Sequence, residues 1–258
     1  MEKDFKVAEN IYRVTAPYKG IFTSVFAIKT PKGVLVFDVA SFDEDAENYI
    51  LPFFKEIDVT EDMIKYVFIS HGHSDHAGGI NGFEKAFPKT KFITTSPSFK
   101  YEYPHLDISL VNDGDYVLDV LKVVTIAGHT EESAAIFDTR TKTLLSGDCL
   151  QSYGIFGCGT WGVNVPFPAE HIKAVENVRK MDIDSIITAH DFCPYGFRYD
   201  GKAEIERALD SCISPIYEIA NLIKENPTLS DEEITKLYNS PKRPTLGERI
   251  VTAIRKTL

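Results

Sequence analysis

The sequence predicts an α/β protein that ends in a helical extension. Short β-branched and aromatic runs alternate with helical patterns as far as about residue 190, and beyond residue 200 the apolar residues recur at helical spacing. Several of the β-rich runs end directly on His or Asp, so strand ends carry the chemistry. The length of 258 residues and a hydrophobic fraction of 43% suit one large domain, or a domain with a small appendage.

The N-terminal third reads as strands joined by turns: about 5–15, then Phe22 to Lys29, the turn Thr30-Pro31-Lys32-Gly33, and Val34 to Phe37. Pro followed two residues later by Gly is turn chemistry between two β-rich runs, so 22–37 is expected to be a hairpin. Asp43 to Glu56 reads as a helix with acids at its start, and the apolar run Lys65-Tyr66-Val67-Phe68-Ile69 as a buried strand. A helix over Ile80 to Phe87, a strand over 91–95, a loop at Tyr101-Glu102-Tyr103-Pro104 and strands from about 108 to 147 follow. A Gly- and aromatic-rich loop spans Tyr153 to Gly162, and such a loop beside a rigid site is expected to wall a substrate pocket. A helix from Ala169 to Met181 and a strand Ser185 to Ala189 then lead to His190.

Beyond residue 200, Ile205, Leu209, Cys212, Ile216, Ile219 and Ile223 mark one face of a helix, with a kink or restart expected at Pro215. Ser230-Asp231-Glu232-Glu233 and Thr245-Leu246-Gly247-Glu248 fit the capping-box pattern and predict helices over 231–239 and 246–257.

A formal net charge of -10 argues against nucleic-acid binding by the whole surface. The tail differs: Lys236, Lys242, Arg243, Arg249, Arg255 and Lys256 stand against the single acid Glu248 over 234–258. Short capped helices with basic residues superficially suit a nucleic-acid-binding module. Basic residues near helix C-termini are ordinary, however, and a helical cap or dimerisation element is the preferred reading. Cys149, Cys158, Cys193 and Cys212 form no CxxC pair and read as reduced thiols. With neither a signal-like start nor an apolar run of membrane-spanning length, the expectation is a cytoplasmic protein with a small-molecule substrate, no membrane partner and no nucleic-acid partner.

The chemistry lies in His71, His73, Asp75, His76, His129, Asp148 and His190. Neutral imidazoles and carboxylates suit zinc, iron or manganese, and a carboxylate has two oxygens with which to bridge two cations. Alternation at a strand end points His71 and His73 the same way, while Asp75 and His76 turn toward a neighbouring position. A lone His is more often a packed or solvated side chain, and His105 and His171 are read that way. For the others the conjunction decides, because small residues flank each one, as in Ala127-Gly128-His129-Thr130, Ser146-Gly147-Asp148 and Thr188-Ala189-His190.

The series His71-Gly72-His73-Ser74-Asp75-His76, Gly128-His129-Thr130, Gly147-Asp148 and His190 resembles the HxHxDH, GHT, GD and H motifs of the metallo-β-lactamase superfamily, over about residues 20 to 195. The resemblance implies an αβ/βα sandwich of two mixed β-sheets with outer helices: a catalytic domain over 1–200, with 201–258 a helical C-terminal extension packed on it. It implies that His71, His73 and His129 hold a first metal, that Asp75, His76 and His190 hold a second, and that Asp148 bridges. Asp38 takes the place of a supporting Asp of the family, where its own context reads as a strand-end turn.

The ligand set is glyoxalase II-like, without that family's basic glutathione-binding pattern. Cys149 stands one residue from the place of the Cys ligand of the best-known β-lactamases and by alternation faces away from the metals. The expected activity is a binuclear metallo-hydrolase of a small ester, thioester, lactone or phosphodiester. A hydroxide shared by two divalent ions, zinc first and iron or manganese as alternatives, would be its nucleophile, oriented by Asp75. Tyr153, Trp161, Phe192 and Tyr195 are the pocket candidates. The alternatives are a sulfur dioxygenase with one iron and a metal-sensing protein with a nucleic-acid-binding tail, and a homodimer is one use for the C-terminal helices.

Overall fold

The computed structural model describes residues 5–152, 155–156, 164–193, 196–239 and 246–257, with the backbone alone at 155, 156 and 193. Its first sheet holds β1 (Lys6–Ala8), β2 (Ile11–Tyr18), β3 (Ile21–Thr30), β4 (Gly33–Phe37), β5 (Ile64–Ile69), β6 (Lys91–Thr94) and β7 (Ile108–Leu110), hydrogen-bonded in chain order. The expected hairpin is β3–β4, in antiparallel register from Phe26↔Phe37 to Thr30↔Gly33. Thr30 Oγ1 accepts from the Lys32 N–H at 3.1 Å inside its turn. Gly33 closes it at φ +131, where a Cβ would lie 2.8 Å from Met63 O. From β4 onward the pairing turns parallel, so the carboxyl ends of β4 and β5 lie side by side and bring Asp38 beside Ser70.

The second sheet holds β8 (Tyr116–Val117), β9 (Leu121–Thr125), β10 (Ala134–Asp138), β11 (Thr143–Gly147), β12 (Ile155–Phe156), β13 (Ser185–Cys193) and β14 (Gly196–Asp200). Its order is β12-β13-β11-β10-β9-β8, with β14 also paired to β13. The strand β14 was not expected from sequence, since Gly196-Phe197-Arg198-Tyr199-Asp200 carries three polar or small residues in five.

By its contacts the backbone divides into two compact units, Met1–Val124 with Ile136–Thr143, and Thr125–Ala135 with Leu144–Leu258. In the first unit, helical turns over Ala46–Ile50 and Leu51–Glu56 and the helix Ile80–Ala86 bury Phe53, Phe54 and Phe83 against the β-branched residues of β4 and β5. The loop expected at 101–104 is in part a helical turn, Phe99–Glu102.

In the second unit the helices Pro168–Val178, Gly201–Glu225, Asp231–Tyr238 and Glu248–Thr257 gather around Ile216, Ile219, Ile234, Tyr238, Ile250, Val251 and Ile254. The helix expected to restart at Pro215 runs unbroken through it, and Pro215 is itself buried. One lost backbone hydrogen bond is outweighed by the continuous buried face Cys212, Ile216 and Ile219, each such side chain contributing about 1.5–3 kcal/mol. Ser230 caps its helix as the pattern predicts, accepting from Glu233 N–H while the Glu233 carboxylate accepts from Ser230 N–H. The last helix begins at Glu248 rather than 246, and Thr245 of its expected capping box lies outside the described residues. Arg255 and Thr252 both donate to Asp231, at 2.6 Å each, and so join the last two helices, while Lys236 pairs with Glu232 within its own helix. Among the described residues no helix is long and apolar enough to cross a membrane.

Candidate metal centre

In the first unit, β5 ends at Ile69 and hands the chain to Ser70-His71-Gly72-His73 and a helical turn Ser74–Ala77. Two glycines let this loop lie close to the segment after β4. A Cβ on Gly78 would stand 2.2 Å from Ser41 O, and one on Gly79 2.4 Å from Val39 O. The rings of His71 and His73 have centroids 4.7 Å apart and those of His71 and His76 4.2 Å apart, so three imidazoles converge. Asp75 Oδ2 lies 3.5 Å from His76 Nε2.

Behind them stands Asp38, fully buried and held at φ +62 after β4. It accepts from Ser70 N–H (2.8 Å), Ser70 Oγ (2.9 Å) and His76 Nδ1 (2.7 Å), and Ser70 Oγ lies 3.0 Å from His71 Nδ1. Burial pushes the Asp38 carboxyl up, opposed by His76 and Ser70. This network assigns the imidazole protons. Ser70 donates to Asp38 and therefore accepts from His71 Nδ1–H; His76 Nδ1–H donates to Asp38 directly. Both rings then carry their lone pair on Nε2, the state in which an imidazole binds a metal.

In the second unit, His129 follows β9, Asp148 follows β11 and His190 lies within β13. His190 falls where the β13–β14 register shifts between Ile187 and Phe192, an irregularity that re-aims side chains beside a site. Asp148 is 3% exposed, and its two oxygens face two imidazoles: Oδ2 lies 3.5 Å from His129 Nε2 and Oδ1 3.2 Å from His190 Nε2. The other nitrogen of His129, Nδ1, lies 3.0 Å from Asn164 O and 2.8 Å from Gln151 Nε2. Gln151 Oε1 accepts from Asn164 N–H at 2.8 Å. Gly128, at φ +143, has the His171 ring where a side chain would sit, 2.3 Å from the ideal Cβ. His171 is fully buried, and burial pushes its imidazole down to about 4.

These donors fit divalent cations. Imidazole and carboxylate ligands about 2.0–2.1 Å from a tetrahedral zinc are separated by about 3.3 Å. The pairs Asp75–His76, His129–Asp148 and His190–Asp148 stand at 3.2–3.5 Å, nitrogen to oxygen. Ser70, Gln151 and Asn164 escaped the sequence reading. Ser70 directly precedes the His-rich motif, whereas nothing in the types of Gln151 and Asn164 marks them. Of the pocket candidates, Phe192 is 1% exposed, and Tyr153, Trp161 and Tyr195 lie outside the described residues, as does most of the loop over 153–162. Cys149 is buried and forms no disulfide among the described residues. His105 is exposed and bonded to Asn81.

A profile of the metallo-beta-lactamase superfamily matches residues 18–190. Over 131 residues the chain is 26% identical to the uncharacterized protein YobT of Bacillus subtilis, covering 41% of this chain and 55% of that one. Over 161 residues it is 29% identical to a hydroxyacylglutathione hydrolase of Prochlorococcus marinus, covering 60% and 58%. The chain thus spans a little over half the length of the curated relatives it matches. A solved metallo-beta-lactamase family protein from Thermus thermophilus shares the fold, with a TM-score of 0.70 at 13% identity over 96% of this chain and 93% of that one.

Proposed function

Because the chain belongs to the metallo-beta-lactamase superfamily, we propose that it is a binuclear metal-dependent hydrolase of a small ester, thioester, lactone or phosphodiester. In this reading His71, His73 and His129 hold one divalent cation, Asp75, His76 and His190 hold a second, and Asp148 serves both, as the order of the motifs implies. The observation that carries it is the Asp148 carboxylate, whose two oxygens address two separate imidazoles. Two cations bound there, zinc first, would polarise a scissile carbonyl or phosphoryl oxygen and make water acidic enough to act as nucleophile near neutral pH.

The chain's own residues do the rest. Asp75 orients the attacking water and receives its proton. Asp38 and Ser70 fix the tautomers of His76 and His71, so that neither ring must turn when a ligand is needed, and the Asn164 carbonyl is within reach to accept a proton on His129 Nδ1. The likeness to a hydroxyacylglutathione hydrolase puts thioesters first among the substrates.

Elemental analysis of the purified chain tests the proposal, followed by assay of thioesters, lactones, aryl esters and phosphodiesters with each metal. Two metals per chain and turnover of one substrate class are expected. Saturation at one metal, with His76 and His190 replaceable without loss of metal, would remove the binuclear mechanism and favour a single-iron dioxygenase.

A further inference from the structure

The segment Asn164–Phe167 reaches the second unit's metal ligand on one side and its C-terminal helices on the other. On the ligand side, Asn164 O lies 3.0 Å from His129 Nδ1, Asn164 N–H donates to Gln151, and Phe167 N–H donates to Gly128 O at 3.2 Å. On the helix side, Val165 is 1% exposed within the apolar cluster of Ile216, Ile219, Ile234, Ile250, Val251 and Ile254. Asn164 Oδ1 accepts from Arg249 at 2.8 Å. One residue therefore offers its backbone carbonyl to a ligand and its side chain to the last helix.

An imidazole that gives Nε2 to a cation must carry its proton on Nδ1 and have an acceptor for it. For His129 the acceptor within reach is the Asn164 main-chain carbonyl, since the Gln151 amide nitrogen beside the same Nδ1 can only donate, and Asn164 lies outside helix and strand. Its position is set by what anchors the neighbouring side chains, and those anchors lie in the C-terminal helices, far along the chain. The protein surface would hold a carbonyl of this kind only loosely, because a short irregular segment orders few of its own groups.

We propose that Asn164–Phe167 is a strut through which the C-terminal helices position His129, with Val165 as its anchor and the Arg249–Asn164 hydrogen bond as its lock. Val165 and Arg249 are thus positioning residues, acting on the metal through His129. This rests on the metal-centre reading given above. It also gives the helices beyond residue 200 a task in metal binding rather than in covering the domain alone.

The test compares Val165→Ala, Arg249→Ala and Val251→Ala in the full chain. Val251→Ala removes the same atoms from the same apolar cluster but from a residue that carries no carbonyl to His129. Each is titrated with Co(II) alone against a competing chelator, with the visible absorption of the bound ion recorded. Val165→Ala and Arg249→Ala should weaken one of the binding steps about 10-fold, the usual effect of losing a group that supports a ligand. They should also alter the Co(II) spectrum and lower kcat with little change in KM.

Val251→Ala should lower the melting temperature as Val165→Ala does, yet keep wild-type Co(II) affinity. Equal affinities for Val165→Ala and Val251→Ala, or wild-type affinity in Arg249→Ala, would overturn the strut. Arg249 is exposed and its variant should fold even if Val165→Ala does not. His129→Ala run alongside separates the two ideas: if it leaves Co(II) binding intact the metal-centre reading fails, and if it abolishes a step while the strut variants bind normally, only the strut fails.

Discussion

His171 occupies the space that the bare Cα of Gly128 leaves open, and it is neutral there because burial pushes its imidazole down to about 4. In the unfolded chain the same group takes up a proton at about pH 6.5, so between about 6.5 and 4 the unfolded state binds a proton that the folded state refuses. Stability on this account is full above pH 6.5 and falls by about 2 kcal/mol on reaching about pH 5. His171→Gln should flatten that part of the profile of urea midpoint against pH, and an unchanged slope would show that His171 does not set it. Asp148→Asn keeps the side-chain shape but removes a charge that faces two imidazoles. Metal occupancy should fall and kcat should drop by orders of magnitude while circular dichroism stays native. Cys149→Ser is the paired control, expected to retain both metals; the opposite pattern would shift the assignment of this strand end by one residue. At this scale the His71–His76 loop was legible because its residues lie close together in the chain and their types state their chemistry. Asn164 was not, because its contribution is a backbone carbonyl that every residue type possesses.

Single elements show where local pattern suffices and where packing overrules it. The helix Asp231–Tyr238 begins at the residue its capping box named, since Ser230 and Glu233 satisfy each other's N–H groups without help from elsewhere. Ser230→Ala should cost about 1 kcal/mol, read as a lower melting temperature with unchanged metal content. Gly78 tells of a tertiary contact: its backbone is in the ordinary helical region, and only the approach of Ser41 O and Ser74 O excludes a side chain. Gly78→Ala should therefore destabilise by about 1–3 kcal/mol and disturb metal binding as well, whereas Gly114→Ala, where nothing lies within 4 Å, should leave metal content alone. Pro215 misled the reading for the converse reason, because a buried face on both sides of it keeps one helix running. The strand β14 was hidden by its composition, for it pairs with β13 yet has little apolar pattern to show.

For the whole molecule, the α/β class, both runs of strands and the helical end were readable from periodicity alone, while the division into two units was not. Each unit is assembled from stretches far apart in sequence, and no local pattern records which stretches will gather. Removing residues 201–258 should expose Val165 and Ile172, which pack against the helical cluster, and yield insoluble protein or protein lacking one metal step. A soluble truncated chain with full metal content and activity would refute this. The division also bears on how the protein is made. The first unit's donors, His71, His73, Asp75 and His76, leave the ribosome together on one short loop. His129 leaves soon afterwards, but it belongs to a unit whose other members run to the last helix. The loop at 71–76 is therefore complete in the chain long before the second unit's core is. On the proposed metal-centre reading, a chain lacking the helix Glu248–Thr257 is therefore expected to keep the loop at 71–76 but to lose part of the core behind His129, and Co(II) titration of that shortened chain checks it.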